Sequence, residues 1–235
     1  MSGGLSGGGL AGRWADLLGA VTSAPSDEVR AAGAGLLARW DETHRGYHDR
    51  QHLAEVLAAL DELVGAEAGE RAGQAGGGVD GMDSAAAQDA ELALWFHDAV
   101  YRARAGAGRN EADSADLARS VLGGLGVDAA RCEEVARLVL LTTDHRVDDP
   151  ADTAGQLVCD ADLWILAAPP ARYASYTAAV RREYRHVPGP LFRRGRRSIL
   201  EALVESGTPY VTAHARQVWG PRALENVRAE IQRLS

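Results

Sequence analysis

LALWFHDAVY (residues 92–101) decides how this chain is read. Five apolar residues in succession, Leu92, Ala93, Leu94, Trp95 and Phe96, run directly into the titratable pair His97 and Asp98. Such a run is built for burial, and a buried carboxylate without a cationic partner costs several kcal/mol, comparable to a small domain's whole stability. The pair is therefore either satisfied structurally or holds something.

Outward from that stretch the apolar residues recur at helical spacing. Trp14, Leu17, Leu18 and Val21 form one stripe. Ser26 reads as an N-cap, with Asp27 and Glu28 in the first turn and Val29, Leu36, Leu37 and Trp40 on the buried side. Residues 49–67 carry Leu53, Val56, Leu57, Leu60, Leu63 and Val64, a strong amphipathic pattern. Further helices are predicted over 85–99, 110–123, 128–144, 156–167, 171–186, 190–205 and 221–234. Strand-like alternation is nearly absent. The fold class is all-α, a compact orthogonal bundle of about eight to ten helices. Residues 1–10 read as a disordered Gly/Ser-rich tail and 11–235 as a single domain. Within it, 71–84 reads as a flexible Gly-rich loop, since the segments on either side look alike.

The net charge of −8 over 235 residues excludes a general nucleic-acid binder. Every basic residue is Arg, a mark of GC-rich coding DNA more than of function. Two cysteines, Cys132 and Cys159, lack any ligand spacing and suit a reducing compartment. No signal-peptide pattern opens the chain, and no apolar run of about 18 residues exists to span a membrane. The expected location is the cytoplasm.

Against this background a few polar residues stand where core residues belong: His44, His48 and His52, then His97 and Asp98, His145, and finally Asp160 and Asp162. Singly, a helical His is usually a surface or hydrogen-bonded residue, and an Asp a cap or an exposed charge. The segment HDRQH also looks like a zinc-protease helix, but Asp49 replaces the Glu that serves as base there. Together they suggest otherwise. Few Arg residues interrupt these runs, so a bound metal is the economical partner. A mixed imidazole and carboxylate set suits Mn, Fe, Co, Ni or Zn better than Ca.

In chain order, RGYHDRQHL, LALWFHDAVY, RNEADSADLA, LTTDH, CDADLWIL, VRREY and GRRSIL resemble the HD superfamily of metal-dependent phosphohydrolases, in particular a bacterial subgroup described as predicted HD phosphohydrolases. The resemblance covers residues from about 11 to 235. It implies His48 as first metal ligand, His97 and Asp98 as second and third, and Asp162 as fourth, with Asp160 the alternative. Family members carry a basic residue after that aspartate, where Leu163 stands here. The implied cofactor is one divalent ion per chain (Mn, Fe, Co, Ni, Zn or Mg), which activates water for attack on phosphorus. Asp98 would orient or deprotonate the water. His145 would protonate the leaving oxygen or contact phosphate, and His52 would orient a ligand or touch substrate. Glu111 falls in a subgroup motif, and its other reading is a first-turn acid with Asn110 as cap.

Residues 181–197 hold seven Arg against one acid, Glu183. This is either a solvated face or a phosphate-binding patch, for which Arg185 and Arg196 are the candidates. The expected function is hydrolysis of a phosphate ester or phosphoanhydride of a nucleotide or small phosphorylated metabolite. The alternatives are a non-catalytic nucleotide-binding signalling module and a purely structural helical protein. Trp164, Tyr173 and Tyr176 are core or a homodimer surface, with core favoured.

Overall fold

Apolar residues three and four apart give each segment a stripe, and burying that stripe is what a helix gains from its neighbours. The computed structural model describes residues 7–73, 81–205 and 207–234; among these are ten α-helices and no strand. They are α1 (Gly7–Val21), α2 (Ser26–Trp40), α3 (Arg50–Gly73), α4 (Gly81–Phe96), α5 (Arg109–Gly124), α6 (Ala129–Leu141), α7 (Thr153–Asp162), α8 (Pro170–Glu183), α9 (Gly189–Glu205) and α10 (Gly220–Leu234). Short 3-10 segments follow α7 (Leu163–Ala167) and α8 (Tyr184–His186), and a π-helical turn (Ala215–Trp219) leads into α10. The chain is an all-α bundle. No helix is long and apolar enough to cross a membrane among the described residues.

The C-terminal half of α4 is the axis of the core. Ala90 and every residue from Leu92 to Phe96 are fully buried, with α3, α6 and α7 packed around them. A helix apolar on all sides needs such enclosure. Trp14 of α1 meets Trp95 edge-on at 5.3 Å between centroids, and its indole N–H donates to the Val29 carbonyl at 2.8 Å. Trp40 donates to the carbonyl of Trp95 at 3.2 Å. Truncating one of these aromatics costs about 3–5 kcal/mol. Tyr173 and Tyr176 are buried and Trp164 packs against the core, so all three serve packing.

Several boundaries differ from the periodic pattern. α1 begins at Gly7 and Leu10 is fully buried, so helix occupies part of the tail expected over 1–10; residues 1–6 lie outside the described residues. α3 reaches Gly73 and α4 starts at Gly81, so the expected 71–84 loop has helical ends, with 74–80 outside the described residues. Ser26 is the first residue of α2, not its cap; Pro25 holds the cap position and no side chain caps there. Asn110 does not cap α5 either. Its amide accepts from the Arg102 N–H at 3.0 Å and donates to the Arg102 carbonyl at 3.2 Å, pinning the loop after the His-Asp pair. Two aspartates do cap: Asp128 for α6 and Asp152 for α7, each contributing about 1 kcal/mol.

Candidate metal centre

Local breaks in the helices aim the polar residues. α4 ends at Phe96, so His97 and Asp98 fall in the turn beyond it and escape the helical period that would splay adjacent side chains. α7 likewise ends at Asp162, where the backbone tightens into the 3-10 segment. His52 lies in the first turn of α3. That turn is fastened by Asp49, whose carboxylate accepts from the N–H groups of Gln51 at 2.9 Å and His52 at 3.2 Å. Asp49 is a cap, which leaves the protease-like reading without its base.

The ligating atoms of His52, His97 and Asp98 lie within 4.8 Å of one another, and Asp162 reaches both imidazoles. His97 Nε2 stands 3.1 Å from His52 Nε2, 3.3 Å from Asp98 Oδ2 and 3.3 Å from Asp162 Oδ1. His52 Nε2 is 3.7 Å from Asp98 Oδ2 and 3.3 Å from Asp162 Oδ1. Nitrogen and oxygen ligands at about 2.1 Å from one ion stand roughly 3.0–3.4 Å apart in octahedral or tetrahedral arrangement. The donor set suits a divalent ion in chemistry, and the separations around His97 Nε2 match that spacing.

The imidazoles are oriented for this. His97 Nδ1–H donates to the Leu94 carbonyl at 2.8 Å, which leaves Nε2 as the lone-pair nitrogen facing the other donors. Burial pushes the carboxyls of Asp98 and Asp162 up. The facing imidazoles, His48 and His97 for Asp98 and His97, His145 and His52 for Asp162, outweigh it and hold both below the usual carboxylate range. His97 shows the mirror effect: burial lowers its pKa, and Asp162 and Asp98 raise it well above the ordinary value. The carboxylates of the centre are thus ionised against the imidazoles that face them.

His48 sits one step out, in the turn before α3. Its Nε2 is 3.9 Å from Asp98 Oδ2, while its Nδ1 is bound at 2.8 Å to Glu183. The structure thus brings His52 into the cluster and sets His48 beside it. His145 Nε2 contacts Asp162 Oδ2 at 2.8 Å. It does so from a left-handed backbone, φ 55°, the one such non-glycine among the described residues. Asp160 points away: fully buried, it accepts from the N–H groups of Val211 and Thr212, each at 2.7 Å. His44 bonds the Tyr101 carbonyl at 2.8 Å.

The candidate substrate contacts lie apart from the cluster. Glu111 occupies the first turn of α5. Arg196 is held by Glu230 at 2.9 and 3.2 Å and lies over the Tyr176 ring. Arg185 is exposed and lines a neighbouring cleft with Arg102, Arg104, His44, His186 and Glu183.

Sequence reasoning missed two supports. Glu183 Oε1 accepts from the N–H groups of Gly46, Tyr47 and His48 at 2.7, 2.8 and 3.1 Å, and Oε2 accepts from Tyr101 at 3.0 Å. Burial raises its pKa, but the His48 and backbone bonds prevail and bring it down to about 2. Arg45, buried, donates to the carbonyls of His48 at 2.7 Å, Asp98 at 2.8 Å and Ala99 at 3.0 Å, tying the two site turns together. Glu183 falls in VRREY and Arg45 opens RGYHDRQHL, but neither stretch showed what these two side chains fasten. No protein-family model matches the chain, and no curated protein matches it.

Proposed function

We propose that this chain is a metal-dependent phosphohydrolase of the HD type, acting on a phosphate ester or anhydride of a nucleotide or other small metabolite. The observation that carries the reading is the gathering of His52, His97 and Asp98 within 4.8 Å of one another, with Asp162 3.3 Å from both imidazoles. These four residues would hold the ion. A divalent ion there would polarise a phosphoryl oxygen and lower the pKa of water.

The remaining residues have tasks of their own. Glu183 holds His48 through Nδ1, so Nε2 faces the centre and can deliver a proton to a leaving oxygen. This is the base-and-orienter pairing familiar from other proton-transfer sites. His145 fixes one oxygen of Asp162, which keeps the other turned to His52 and His97. Arg45 keeps the turn bearing Asp98 in register with the turn bearing His48.

The test is turnover of p-nitrophenyl phosphate, nucleoside phosphates and pyrophosphate by protein supplied in turn with Mn²⁺, Co²⁺, Ni²⁺, Zn²⁺ and Mg²⁺. Hydrolysis that Asp98→Ala reduces by about 1000-fold or more supports the reading. No turnover with any metal, or equal turnover by the variant, removes it.

A further inference from the structure

A cleft of about 370 Å³ opens beside the candidate centre, and His48 forms part of its wall. α9 and the segment before it contribute Tyr184, Val187, Leu191, Phe192 and Ile199 to the lining. Leu191 and Ile199 are 61% and 60% exposed, two of the four large apolar side chains left open to solvent among the described residues. Exposed apolar side chains gathered at one concavity mark a binding site more often than chance. The only cation lining the cleft, Arg196, is already paired with Glu230 and stacked on Tyr176. Besides Arg196, the polar groups of this lining are the His48 imidazole and the Tyr176 and Tyr184 hydroxyls; Val180, Val187, Leu191, Phe192 and Ile199 make the rest of it apolar.

We propose that this cleft binds the organic portion of the substrate, and that this portion is apolar: an aryl or branched aliphatic group joined through oxygen to the phosphate. The proposal rests on the phosphohydrolase reading for the position of the phosphate, and on the cleft's own lining for the chemistry of the rest. His48 belongs to both places. A group seated in the cleft would put its ester oxygen on the His48 side, where the proton is delivered. A concave site of this volume suits a small molecule, whereas a second copy of the chain would need a broad face.

The experiment uses 1-naphthol, which has the apolar group and no phosphate, so that binding does not depend on metal or turnover. Saturable binding is followed by naphthol fluorescence in the wild type, Asp98→Ala, Ile199→Asp and Phe192→Ala. Ile199 is exposed, so its charged variant folds. Equal binding by wild type and Asp98→Ala, weakened about tenfold or more in Ile199→Asp and Phe192→Ala, supports the proposal. Lack of saturable binding, or binding that both cleft variants retain, overturns it. So does a concentration-dependent dimer that Ile199→Asp dissociates and naphthol leaves intact. A protein that binds naphthol in this way but never hydrolyses 1-naphthyl phosphate keeps the cleft and loses the hydrolase reading.

Discussion

His48 and His52 differ by four positions and by one hydrogen bond. His48 has its Nδ1 engaged by Glu183, whereas His52 is buried with Nε2 against His97 and Asp162. We predict that His52→Ala lowers bound metal to under about a tenth of the wild-type content. His48→Ala should keep the metal and lower kcat by about 100-fold or more. Elemental analysis beside steady-state kinetics checks both, and the opposite pattern would restore His48 as the ligand. The two aspartates of CDADLWIL separate in the same way. Asp160→Ala strands two buried N–H groups and should reduce unfolding free energy by about 3 kcal/mol with metal content unchanged. Asp162→Asn should do the reverse, as measured by urea unfolding and metal analysis.

Between elements, the end of α8 is clasped onto the turn before α3. Gly46 permits this approach: a Cβ there would stand 2.8 Å from the Ala179 carbonyl oxygen and 3.0 Å from Glu183 Cγ. Glu183 closes the clasp with its carboxylate on three N–H groups, His48 and Tyr101. Its pKa is lowered in the fold from 4.5 to about 2, so its contribution is fully present above 4.5 and disappears as pH falls towards 2. A shift of that size corresponds to about 3 kcal/mol. Glu183→Gln should therefore show a shallower loss of stability across this window than the wild type, in urea melts with chelator present. Equal slopes would mean that the clasp is not what titrates. Arg45 joins the same turn to the one carrying Asp98, and Arg45→Met should weaken metal binding about 10- to 100-fold without touching the ion. A metal titration of that variant decides it.

At the scale of the molecule, the helical class and the central place of LALWF were readable from periodicity, because burial on all sides needs an unbroken apolar run. His97, Asp98 and Asp162 were readable as anomalies within such runs. That His52 and not His48 lies against His97 and Asp162 was not, since both share a spacing and only the Asp49 cap shows where α3 begins. Glu183 and Arg45 fall in quoted motifs, but their tasks were hidden, because the partners they fasten lie up to 137 and 54 positions away, beyond any local pattern. Breaks in helices also escaped periodicity. The ends of α4 at Phe96 and α7 at Asp162 are what bring His97, Asp98 and Asp162 together, and both lie inside segments that read as continuous helix.

The central claim is that His52, His97, Asp98 and Asp162, brought together from three turns, hold one divalent ion. Its most direct test is elemental analysis of the wild type purified without chelator, beside His97→Ala prepared identically. About one Mn, Fe, Co, Ni or Zn per chain in the wild type, lost from the variant, is the expected result. No metal in either protein, together with no uptake and no rise in unfolding temperature on titration with Mn²⁺ or Zn²⁺, would contradict it and leave the imidazoles and carboxylates as partners of one another.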